Sequence, residues 1–156
     1  MQVRDIMNPR VITVRVDQML DEAMRALLER RINSAPVIDA SGNLVGMIGL
    51  KDGLRAPHPS RVDAMVHRHT TLAERAAAFP TTTVGAVMAR PVLTVTPDTT
   101  VEEAAAVMSN RGRHPLPVIE DGKIIGVLSR SDVIEVLLRI VASGSTEVAG
   151  KPVGSL

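Results

Sequence analysis

The sequence predicts an α/β (α+β) fold in which one β-α-β-β-α unit is used twice, and three observations carry that prediction. First, the 156-residue chain repeats itself. Sliding it by 81 lays IMNPRVITVRVDQMLDEAM on VMARPVLTVTPDTTVEEAA, with Met7 over Met88, Val11 over Val92, Thr13-Val14 over Thr94-Val95 and Asp17 over Asp98. Second, short β-branched runs alternate with segments of helical period inside each copy. Third, the offset drops from 81 to 80 only where DASGN becomes EDGK, a glycine-containing turn tip of the kind that tolerates an indel.

Each copy opens with a short strand, VITV (11 to 14) and VLTV (92 to 95), followed by a helix. Leu20, Ala23, Met24 and Leu27 fall at i, i+3, i+4 and i+7, and Val101, Ala104, Ala105 and Met108 take the corresponding places. Asp17 and Asp98 precede the first turns, and Thr99 with Glu102 makes a capping box. PVID and PLPVIE then lead through the turns to LVGMIGL and KIIGVLS, which reads as a β-hairpin in each copy, with Gly42 over Gly122, Gly46 over Gly126 and Asp52 over Asp132. A second helix begins at about Lys51 and Arg130.

These signals divide the chain into a first unit over 1–55, a connector over 56–82, a second unit over 83–142 and a flexible tail over 143–156. Two prolines in APHPS (56 to 60) stop the second helix of the first copy. A short helix is expected over TLAERAAAF in the connector.

Composition narrows function. With one aromatic residue, Phe79, and a net charge of +1, the chain has neither a stacking platform nor the field for a phosphate backbone, so no nucleic-acid partner is expected. The absence of cysteine excludes disulfides, thiolate nucleophiles and Cys-type zinc sites and agrees with a cytoplasmic location. No run approaches the roughly 20 apolar residues that span a bilayer, and VIEVLLRIVA (133 to 142) is broken by Glu135 and Arg139, so no membrane partner is expected. His58, His67 and His69 lack carboxylates at ligand spacing, and no metal site is expected.

The ordered motifs I-M-x-P-x-V-x-T-V, P-V-I-(D/E) and G-x-x-x-G followed by a (S/T)-x-x-D-like helix start, present in both halves, resemble a tandem pair of CBS (cystathionine β-synthase) domains, a Bateman module. The resemblance covers residues 3 to about 140. It implies two units packed through their sheets with pseudo-twofold symmetry, two clefts for adenosyl ligands such as AMP, ADP, ATP or S-adenosylmethionine, and a homodimer.

The string Ser129-Arg130-Ser131-Asp132 supports two readings. Serine before a helix with an acidic residue three positions on is a capping box, worth about 1 kcal/mol with no ligand. Equally, Asp132 can take two ribose hydroxyls while the helix N-terminus favours an anion. The resemblance implies that Ser129 and Asp132 contact ribose and phosphate, with Arg130, Arg113 and His114 as phosphate partners and Met7 to Ile12 lining the adenine slot. It also implies a weaker second site at Asp52, Lys51 and Gly49, lined by Met88 to Leu93, in which the hydroxyl is missing.

No nucleophile beside a base and no phosphate-binding loop marks an enzyme. The leading expectation is a stand-alone sensor that binds an adenine nucleotide or S-adenosylmethionine as a regulatory ligand, with no obligatory cofactor, and acts on an unknown effector protein. The alternative is a dimeric interaction scaffold with degenerate clefts, in which Ser129 and Asp132 only cap.

Overall fold

The structure is a computed structural model that describes residues 1–55, 71–111 and 115–144. The chain forms two compact units that cut across the sequence repeats: Ile12–Val92 is one, and Met1–Val11 joins the chain from Leu93 onward in the other.

In the Ile12–Val92 unit, β1 (Val14–Arg15) runs parallel to β2 (Ser34–Ile38), which pairs antiparallel with β3 (Leu44–Gly49). Between β1 and β2 lies α1 (Leu20–Glu29), whose Leu20, Ala23, Met24 and Leu27 are all buried, as their spacing predicts. The short helix α2 (Leu50–Arg55) follows β3 without a break. From the connector come α3 (Leu72–Ala78), capped by a Thr71–Glu74 box, and a 3-10 turn over Phe79–Thr81, and α4 (Val84–Val87) follows at the start of the second repeat. Val14, Leu27, Val37, Ile48 and Val84 meet in one core.

The second unit repeats this plan with α5 (Val101–Arg111), β4 (Leu116–Glu120), β5 (Lys123–Leu128) and α6 (Arg130–Ser143). Its Val101, Ala104 and Met108 are buried and Ala105 is half-buried. Both hairpins shift register at the same place, between Val37 and Ile38 and between Val118 and Ile119. The indel lies just beyond that shift, in the turns themselves, which differ accordingly. Asp39 organises the longer turn by accepting from the backbone N–H groups of Ser41 and Asn43 at 2.9 Å. Asp121 and Gly122, with φ of 49° and 76°, close the shorter one as the two left-handed residues of a type I′ turn.

Three local expectations are corrected. The opening strands are shorter than VITV and VLTV: only Val14–Arg15 forms a strand, and in the other unit Val95 alone bridges to Val118. The chain passes from one unit to the other at Val11/Ile12 and at Val92/Leu93, so the first half of each run is not free to join the sheet. The capping box of α5 uses Thr100 and Glu103 rather than Thr99 and Glu102, because Thr99 instead accepts from the Thr96 N–H at 3.1 Å. Finally, α2 begins at Leu50, one residue before Lys51.

The passage between units is an exchange. The segment leading into each repeat completes the unit built on the other repeat's hairpin. Asn8 exchanges backbone hydrogen bonds with Val127 of β5 at 2.9 and 3.0 Å, and Ala89 does the same with Met47 of β3 at 2.8 and 3.0 Å. Val3 and its counterpart Val84 are fully buried, each in the core its segment completes.

Candidate functional site

In the second unit β5 ends at Leu128 and Ser129 becomes the N-cap of α6, in extended conformation. Asp132 returns its carboxylate to the cap: Oδ2 accepts from the Ser129 N–H and from the Ser129 hydroxyl, each at 2.6 Å. Ser131 lies 2.8 Å from the same hydroxyl. Every hydrogen bond to the half-buried carboxylate thus falls on Oδ2, and Oδ1 has no protein partner among the described residues.

Asp132 also lines a recess of about 170 Å³ with Asp5, Ile6, Met7, Glu135, Val136 and Arg139. The four α6 residues stand at i, i+3, i+4 and i+7 and so share one helix face. Opposite them lies the exchanged N-terminal segment, held by the Asn8–Val127 pair. Gly126 makes that seat possible, because a Cβ there would come within 2.6 Å of the Met7 sulfur and 3.2 Å of the Asn8 carbonyl oxygen. The recess carries three carboxylates against one guanidinium, and Arg139 approaches Glu135 to 3.7 Å.

The first unit builds the same helix start with less. Gly49 ends β3, and Asp52 Oδ2 accepts its N–H at 2.8 Å. Asp52 is only 6% exposed, the one buried charged side chain among the described residues. Met88 lies over Gly46 as Met7 lies over Gly126. Lys51 is exposed.

The structure therefore brings Ser129, Asp132 and Met7 into one unit and Gly49, Asp52 and Met88 into the other. Arg130 is exposed on the first turn of α6. Ile12 belongs to the Ile12–Val92 unit, and Leu93 to the other, where it packs against the core of Val3, Val95 and Leu116. Arg113 and His114, like His58, His67 and His69, lie outside the described residues. Sequence reasoning missed Asp5, Ile6, Glu135, Val136 and Arg139. The i+3, i+4, i+7 series from Asp132 was the signal that reaches the last three. Among the described residues no cluster of His, Asp and Glu could hold a metal ion, and no helix is long and apolar enough to cross a membrane.

Two copies of a hairpin-to-helix junction, each returning an aspartate to the helix start and each seated under a methionine from an exchanged segment, define a tandem-repeat α+β architecture. The chain belongs to the CBS domain family, which it matches over residues 3–58 and 84–139, two spans in the same offset as the repeat.

Among solved structures it is similar to CBSX2 of Arabidopsis thaliana in complex with AMP, with 29% identity over 90% of this chain and 98% of that one and a TM-score of 0.70. It is similar too to the CBS domain pair of protein MJ0100 in complex with 5′-methylthioadenosine and S-adenosyl-L-methionine, with 26% identity over 89% and 97% of the two chains and a TM-score of 0.67. It is 30% identical over 135 residues to the A-adding tRNA nucleotidyltransferase of Aquifex aeolicus. That match takes in 86% of this chain, which spans only 14% of the enzyme's length.

Proposed function

We propose that the chain is a regulatory module that binds an adenosyl ligand, AMP, ADP, ATP or S-adenosylmethionine, and passes its presence to a separate effector protein without turning it over. The observation that carries this reading is the divided use of Asp132. One carboxylate oxygen closes the cap and the other has no protein partner among the described residues, on a side chain that lines a recess opposite Met7. A carboxylate so placed accepts from the vicinal hydroxyls of a ribose, and Ile6, Met7 and Val136 stand among its neighbours in the recess. The AMP complex of CBSX2 and the S-adenosylmethionine complex of MJ0100 support the ligand class. Asp52, with one donor and no neighbouring hydroxyl, is the weaker of the two sites in this reading. Ligand shifts the protein toward whichever arrangement binds it more tightly, and by no more than that difference.

A second reading has one observation in its favour: the Ser129–Asp132 box is closed by the protein's own groups, so the pair also fits a scaffold in which both residues only cap. A thermal-shift panel of AMP, ADP, ATP, S-adenosylmethionine and NAD on the wild type and on Asp132→Asn separates them. Asparagine keeps an acceptor for the Ser129 N–H but loses the charge. A ligand at 100 times its dissociation constant adds about 2.7 kcal/mol, roughly 5 to 11 °C for a chain of this size. The sensor reading expects that rise in the wild type and its loss in Asp132→Asn. If no ligand raises the melting temperature at millimolar concentration, the scaffold reading stands instead.

A further inference from the structure

The recess beside Asp132 is lined by charge that the other copy of the site does not reproduce. Asp5, Asp132, Glu135 and Arg139 set three carboxylates against one guanidinium. Asp5 accepts the Gln2 N–H on Oδ2 at 2.8 Å, a bond that leaves its negative charge in place. Glu135 and Arg139 come no closer than 3.7 Å, and both side chains are more than half exposed, so the pair is loose and neutralises little. Arg4, next to Asp5 in the chain, pairs with Asp98. The repeat supplies the contrast. Asp5 corresponds to Ala86 at the offset of 81, and Glu135 to Arg55 at the offset of 80. The unit that holds Asp52 therefore has a methyl group and a cation at the two positions where the unit that holds Asp132 has carboxylates.

We infer that the Asp132 site selects its ligand by charge: it takes an adenosyl group with a cationic 5′ substituent, a sulfonium nucleoside, and turns away a 5′ phosphate, with Glu135 and Arg139 setting the preference. The inference rests on the reading above, in which Oδ1 of Asp132 accepts from the ribose. Glu135 stands one helical turn along from Asp132, about 5 Å, which is inside the screening length of roughly 8 Å at physiological salt. Its field therefore acts on the ligand's charge whichever end of the adenosyl group enters the recess. A phosphate coming here gives up water and meets like charge, with one guanidinium in exchange, whereas a sulfonium meets carboxylates already in place. Arg130, a phosphate partner by family resemblance, is exposed and does not line the recess.

Three ligands that share adenosine and differ at the 5′ position read the preference: S-adenosylmethionine, neutral 5′-methylthioadenosine and AMP, each titrated calorimetrically into the full chain at low and at high salt. Binding that disappears in Asp132→Asn belongs to this site. There S-adenosylmethionine should bind most tightly and AMP least, and salt should compress the order. Glu135→Lys should move the ratio of S-adenosylmethionine to AMP affinity at least about tenfold toward AMP, and Arg139→Glu at least about tenfold the other way. Both changes break the same exposed ion pair, so a merely structural effect would move the two variants together. AMP binding here as tightly as S-adenosylmethionine, or variants that shift the ratio in one direction or not at all, would overturn the charge selection and leave the adenosyl reading standing. If none of the three binds, or all bind Asp132→Asn as well as the wild type, the adenosyl reading fails and the selection falls with it.

Discussion

Ser129 gives Asp132 two hydrogen bonds on one carboxylate oxygen, whereas Gly49 gives Asp52 one. The first copy lacks the hydroxyl for a steric reason. A Cβ on Gly49 would sit 3.2 Å from the Asn33 carbonyl oxygen and 3.3 Å from the Ser34 Cβ, and Asn33 is held there by the Leu50 N–H on its carbonyl at 2.9 Å. The two helix starts are therefore not interchangeable.

Restoring the symmetry should consequently fail in one direction only. Gly49→Ser is expected to destabilise by about 1 to 3 kcal/mol, because strand backbone must move to admit the side chain. Ser129→Gly should cost about 1 kcal/mol, since glycine is a tolerable N-cap and the Ser129 N–H still reaches Asp132, although the hydroxyl's contacts with Asp132 and Ser131 are lost. Urea unfolding midpoints of the two variants measure this. A stabilised Gly49→Ser would show that space is not the reason for the glycine.

How far the sequence reached can be judged from particular residues. Helix α1 was legible because Leu20, Ala23, Met24 and Leu27 mark a single buried stripe, and the turn indel was legible because a loop tip absorbs it. The α5 cap was misread by one residue because TPDTTVEEA contains two overlapping Thr-x-x-Glu pairs, and only the phase of the buried Val101, Ala104 and Met108 selects the second. The recess-lining Asp132 and Met7 followed from the repeat and from the family resemblance together. The pairing of Asn8 with Val127 joins residues more than a hundred positions apart, and no local pattern announces it. Gly46 and Gly126 were its trace in the sequence: each sits inside a strand where a side chain would collide with Met88 or Met7.

The two repeats also divide volume differently at one place in the core. A Cβ on Gly53 would come within 2.8 Å of the Met24 sulfur and 3.6 Å of Phe79. In the other copy the corresponding residues are Val133 and Ala105, large and small exchanged. Gly53→Val alone should therefore destabilise by about 1 to 3 kcal/mol through overpacking, and Met24→Ala alone by about 2 to 5 kcal/mol through the cavity it leaves. The double variant, which copies the Val133/Ala105 arrangement, should be better than the sum of the two by at least about 1 kcal/mol. Additive losses in chemical denaturation would show that the two positions do not share their space.

Acid sensitivity should be traceable to named carboxylates. Glu103 lies below its ordinary value because it accepts from the Thr100 N–H and then from the Thr100 hydroxyl, at 3.1 and 2.9 Å. Asp39 is lowered by the Asn43 N–H and side chain, and Asp17 by its hydrogen bond from Arg15. A carboxyl group with a depressed folded-state value holds fewer protons when folded than when unfolded, so stability rises with pH through the interval between the two values and is level above it. Stability should accordingly hold from neutral pH down to the ordinary carboxylate range and fall as the pH drops below it. Glu103→Gln cannot titrate there. It should be less stable than the wild type at pH 7 and converge with it as the pH approaches the depressed value of Glu103. Melting temperatures of the two proteins from neutral to strongly acid pH test this, and a gap that stays constant would mean that the charge on Glu103 contributes nothing to the cap.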